Sequence, residues 1–127
     1  MSLARRLPDL APLPGPVVTR AALAASERLG LSARVLARVL GLSEPTISRM
    51  KRGDHLLDEA SKPFELAVLL IRAFRALDAI TGGDEAVARA WIGAPNLALG
   101  AAPLLLIQTV PGLVDVTAYL DARRAPL

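Results

Sequence analysis

Between Gly30 and Gly53 the chain alternates helix-starting and helix-stopping residues at intervals that leave room only for short helices. The side-chain oxygens of Ser32 and Ser43 suit the free N–H groups of a first helical turn, and Gly41 and Gly53 suit the backbone that closes a last one. This spacing predicts helices over Ala33–Leu40 and Glu44–Lys51, with Pro45 in the first turn of the second, where its missing N–H removes no hydrogen bond. The same punctuation extends in both directions. Thr19 is placed to cap a helix that runs to Leu29 before Gly30. After a loop over Asp54–Ala60, Ser61 and Pro63 open a long helix, Lys62–Ile80, which stops at Thr81-Gly82-Gly83. Three shorter helices follow, over Asp84–Ile92, Pro103–Gln108 and Val110–Ala122. Thr109 is placed to cap the last, and Leu113, Val116 and Leu120 mark its buried stripe. No alternating β-branched run competes, so the fold class is all-α.

Composition narrows the chemistry. Hydrophobic residues make up 53% of the 127, but aromatic ones only 3%, so the core must be built from Leu, Ala, Val and Ile. The absence of Cys excludes disulfides, Cys-ligated zinc, iron–sulfur clusters and thiol catalysis. His55 is the single histidine, and its default reading is an exposed loop residue. With no paired catalytic groups and no glycine-rich phosphate loop, no catalytic residue, metal ligand or cofactor is assigned, and the chain is not expected to be an enzyme.

The longest uncharged stretch runs from Ala90 to Val114, 25 residues between Arg89 and Asp115. Its length would span a bilayer, yet Gly93, Pro95, Asn96, Gly100, Pro103, Gln108, Pro111 and Gly112 break it too often for a lipid-exposed helix. It reads instead as short buried helices joined by turns. Residues 1–18, with Pro8, Pro12, Pro14 and Pro16, read as an extended or flexible arm that also interrupts any signal-peptide core. The expectation is a cytoplasmic protein with no membrane contact.

Charge is unevenly placed. Residues 31–53 hold Arg34, Arg38, Arg49, Lys51 and Arg52 against Glu44 alone, a net +4, whereas the whole chain carries only +3. A basic end and a mildly acidic remainder point to nucleic acid at one end and a different task at the other.

The two short helices of that basic end have the parts of a helix-turn-helix. Ala37 is small where the helices would cross, Gly41 makes the turn, and Ile47 packs the second helix on the first, with Leu36, Leu40, Leu42 and Met50 along the seam. This resembles the helix-turn-helix of Xre-type, phage-repressor-like regulators over residues 19–60. The resemblance implies that Glu44, Pro45 and Arg49 meet base edges while Ser43, Thr46, Lys51 and Arg52 lie nearer phosphates. Arg49 is the strongest base reader, because a guanidinium donates two bonds to guanine O6 and N7. Glu44 has an alternative use as a first-turn residue favoured by the helix dipole.

Residues 61–127 contain, in order, Ala90-Trp91, Pro95-Asn96, Leu99-Gly100, Pro103-Leu104, Thr109, Gly112, Val116 and Leu120. This order resembles the toxin-binding domain of Xre/MbcA/ParS-type antitoxins, with two departures: Ala101 replaces a frequent second glycine, and Leu105 replaces a usual acidic residue. The resemblance implies a type II antitoxin. It would repress its operon by binding operator DNA and block a RES-domain toxin that degrades NAD or transfers ADP-ribose, by covering the toxin's NAD pocket. Trp91, Pro95, Asn96, Leu99, Gly100 and Pro103 are assigned to the fold. Toxin contact is expected from Tyr119, Leu120, Arg123, Arg124, Pro126 and Leu127, and a homodimer through the apolar circumference of the helix at 62–80. Two other readings stand beside this one: a dimeric helix-turn-helix transcription regulator without a toxin partner, and an interaction protein that has lost DNA binding.

Overall fold

The computed structural model describes residues 14–124, which form seven helices and no strand. They are α1 (Gly15–Leu29), α2 (Ala33–Leu40), α3 (Glu44–Arg52), α4 (Lys62–Ile80), α5 (Glu85–Gly93), α6 (Pro103–Leu106) and α7 (Val110–Arg124). Ser32, Ser43, Ser61 and Thr109 cap where the sequence places them, and Asp84, read as the first helical residue, is also a cap. Ser32, Ser43, Ser61 and Asp84 each accept a hydrogen bond from the N–H three residues on. Thr109 does the same for Gly112 at 3.1 Å. Each such cap stabilises its helix by about 1 kcal/mol.

The largest departure is at the start. Helix α1 begins at Gly15, four residues before Thr19, so residues 15–18 belong to the helix and not to the arm; residues 1–13 lie outside the described part. Thr19 is no cap. It is 2% exposed, its hydroxyl donates to the Gly15 carbonyl at 2.6 Å, and it accepts from the Leu57 N–H at 3.0 Å. A threonine bonding back one turn inside a helix looks like a cap in the sequence, because the chemistry of the side chain is the same. Here it ties the loop after α3 to α1. Replacing Thr19 with Val keeps the shape and strands the buried Leu57 N–H, so urea unfolding is expected to show a loss of about 1–2 kcal/mol.

Helix α4 stands at the centre and packs against α1, α2, α5 and α7. Phe64, Leu66, Ala67, Leu70, Ile71, Ala73, Ala76 and Leu77 are all buried on it. Much of its apolar circumference is therefore spent within one chain, while Val68, Leu69 and Phe74 stay half-buried and Ile80 is exposed. One continuous core runs from Val18 to Leu120 through this helix.

Polar links also cross the molecule. The Arg89 guanidinium on α5 donates to the Glu27 and Arg28 carbonyls at 2.8 and 3.1 Å, which adds to the Gly30 cap bond in tying down the end of α1. Arg28 lies 5.5 Å over the Phe74 ring and pairs with Asp78 at 3.3 Å. Arg38 on α2 reaches the Gln108 side chain at 3.4 Å.

Candidate functional sites: a basic helix and an uncharged surface

Helices α2 and α3 meet over Leu36, Ala37, Leu40, Ile47 and Met50, all at most 5% exposed. Burying a Leu, Ile or Met side chain of this kind stabilises the pair by roughly 2 kcal/mol. The connection turns at Gly41, whose φ of 70° is left-handed. A Cβ there would meet no atom within 4 Å, so glycine is required by backbone conformation and not by crowding.

With that seam buried, the opposite face of α3 is exposed at Glu44, Pro45, Ser48, Arg49, Lys51 and Arg52. Ser43, also exposed, caps the helix and shares a 2.9 Å hydrogen bond with the Thr46 hydroxyl. Arg49 Nη2 donates to that same hydroxyl at 2.9 Å. Thr46 is only 9% exposed, so it does not face phosphate as the sequence reading placed it; its oxygen holds the Arg49 guanidinium along the helix. Arg52 pairs with Asp54 at 3.3 Å, with both side chains more than half exposed, a bond weak enough for phosphate to displace. Glu44 lies in the first turn, where the helix dipole favours a carboxylate. Arg34 and Arg38 extend the exposed basic surface onto α2.

At the other end, Trp91 and Tyr119 stack with centroids 6.2 Å apart, and the Arg123 guanidinium lies 4.6 Å over the Tyr119 ring. Trp91 and Tyr119 are half-buried, so the stack closes the edge of the core between α5 and α7 while keeping one side in water. Arg123 and Arg124 are exposed. Leu120 is 2% exposed and packs inward, which removes it from any contact surface and returns it to the stripe with Leu113 and Val116. Pro126 and Leu127 lie outside the described residues. Asn96 accepts from the Leu99 N–H at 3.0 Å, as expected of a side chain that organises a turn.

The uncharged stretch is helical and turned, as its breakers require, but it is not buried. Of its 25 residues only Ile92, Pro103, Ile107, Gly112 and Leu113 are buried, and 12 are exposed. The sequence signal for this surface was the absence of charge itself, which burial and interface produce alike. Among the described residues, no helix is long and apolar enough to cross a membrane.

Two family models match the chain. The antitoxin Xre-like helix-turn-helix domain matches residues 10–72, which include α1 to α3 and the first half of α4. The antitoxin Xre/MbcA/ParS C-terminal toxin-binding domain matches residues 76–125, which include α5 to α7. Among curated proteins, no match was found. The basic helix α3 thus lies in the first match and the uncharged surface in the second, and the chain belongs to the Xre/MbcA/ParS family of antitoxins.

Proposed function

We propose that this chain is the antitoxin of a type II toxin–antitoxin pair, that its toxin is a RES-domain protein consuming NAD or transferring ADP-ribose, and that it represses its own operon. It acts in the cytoplasm by binding alone. The observation that carries this reading is the joining, in one chain with one core, of an exposed basic α3 and a toxin-binding domain match.

At the DNA end, Arg49 is the base reader, and Ser43, Glu44, Pro45, Lys51 and Arg52 surround it. Thr46 positions the guanidinium from below. The N-terminal half of α3 enters the major groove, and two copies on a palindromic operator would place two such helices about one turn of DNA apart. That pairing must use a surface other than the buried face of α4. At the toxin end, Tyr119, Arg123 and Arg124 lie on or beside the outer half of α7.

Coexpression in a bacterial host with the RES-domain protein encoded beside this chain tests the reading. Growth and the cellular NAD level are expected to recover, and the two proteins to copurify. If the RES protein stops growth and this chain neither restores it nor copurifies, the reading is wrong.

A further inference from the structure

A surface with no charge is unusual on an exposed chain, and here it is concentrated. Among the described residues, eight large hydrophobic side chains are more than a third exposed, and six of them lie within residues 76–125. Four belong to the uncharged stretch: Leu97 at 103%, Leu105 at 63%, Val110 at 51% and Val114 at 46%. They are carried by three consecutive pieces of chain, the turn before α6, α6 itself and the first turns of α7. α6 packs directly on α7. Val110 and Val114 are one helical turn apart and so share a stripe, with Leu113 and Val116 turned under them into the core.

The chemistry of this surface excludes nucleic acid, because phosphate affinity rests on Lys and Arg, and residues 90–114 contain neither. Local stability does not account for Leu105 either. It stands in the first turn of α6, where the helix dipole favours an acidic residue, and it points its side chain into water. An apolar, charge-depleted centre with charged residues at its edge is the anatomy of a protein–protein interface. Charged residues flank it on α7, Asp115 directly after Val114 and Arg123 and Arg124 at the end of the helix.

We propose that Leu97, Leu105, Val110 and Val114 form the centre of the toxin-docking surface, that the toxin covers them with an apolar face of its own, and that Tyr119, Arg123 and Arg124 supply only its rim. This inference rests on the antitoxin reading above. It moves the main contact from the C-terminal tail to α6 and the start of α7, and it makes Leu105 a determinant of which toxin is accepted.

The test is the affinity of the purified full-length chain for the purified RES-domain toxin encoded beside it, by calorimetry. Leu105→Glu is expected to weaken binding about tenfold or more, and Leu105→Glu with Val114→Asp about a hundredfold, while Arg123→Ala with Arg124→Ala weakens it less than about fivefold. Both apolar positions are exposed, so circular dichroism, melting temperature and operator binding should stay at wild-type values. Undiminished toxin affinity in the Leu105→Glu, Val114→Asp chain overturns the proposal while leaving the antitoxin reading intact. Failure of the wild-type chain to bind the toxin overturns both. Light scattering of the free chain separates the other occupant: the mass is expected to be the same with and without Leu105→Glu. A wild-type dimer that this substitution turns into a monomer would make the surface a seam between two copies and overturn its assignment to the toxin.

Discussion

A Gly112→Ala chain is expected to lose about 2–3 kcal/mol of stability, the cost of forcing an extra methyl into a filled contact. The reason lies in the approach of two helices. Gly112 is in the first turn of α7, and a Cβ there would overlap the Leu106 carbonyl at the end of α6 and come within 2.9 Å of the Thr109 hydroxyl. The Leu106 atoms it would meet are backbone, which cannot swing aside as a long side chain does. Its own N–H also donates to Thr109, so a shift that relieved the overlap would break the cap of α7. Gly93, at the end of α5, is the control: a Cβ there meets nothing within 4 Å, and Gly93→Ala is expected to be neutral or stabilising by up to about 1 kcal/mol. Urea denaturation of the two variants checks both. Because α6 carries Leu105, the Gly112→Ala chain should also bind toxin more weakly.

Arg49→Ala is expected to remove the preference for operator over unrelated DNA, whereas Lys51→Ala should weaken binding to every sequence alike. A bidentate arginine–guanine contact is worth about 1–3 kcal/mol of discrimination, which is roughly tenfold to a hundredfold for each recognition helix. The geometry adds that Arg49 is already positioned, since one of its donors is held by Thr46. Lys51 has no comparable hold from within α3 and supplies charge. Its removal should lower the slope of affinity against salt by about one unit. Mobility-shift titrations of both variants on operator and random duplexes, at two salt concentrations, read all of this. An unchanged footprint from both would displace the recognition-helix assignment.

The helices were legible from the sequence because their ends are chemically marked. Ser32, Ser43 and Ser61 cap, Gly30, Gly41 and Gly53 close, and the boundaries of α2 and α4 stand where those residues put them. The start of α1 was not legible, because Pro14 and Pro16 read as breakers although a proline in a first turn disturbs no bond. The exposed half of the basic site followed from the periodicity of α3, with Ile47 and Met50 as the buried reference. Thr46 escaped that reading: it differs little from its neighbours in polarity, and only the bonds to Ser43 and Arg49 show its orientation. The uncharged stretch failed in a more instructive way. A run without charge tells that water is not the intended neighbour, and it does not tell whether the neighbour is the chain's own core or another protein. The 53% hydrophobic content divides accordingly. Most of the part on α4 is core, packed against four other helices, and much of the part on α6 and the first turns of α7 faces out.

The central claim is that one rigid helical core presents two surfaces of opposite physical character, a charged one for DNA and an uncharged one for the toxin. A parallel salt series on the same preparation tests it most directly. Operator affinity is expected to fall at least about tenfold between 50 and 200 mM salt, through release of counterions from the phosphates. Affinity for the RES-domain toxin should change by less than about twofold over the same range, because little charge is buried in an apolar contact. A toxin affinity that fell in step with that for DNA, or a DNA affinity indifferent to salt, would contradict the account.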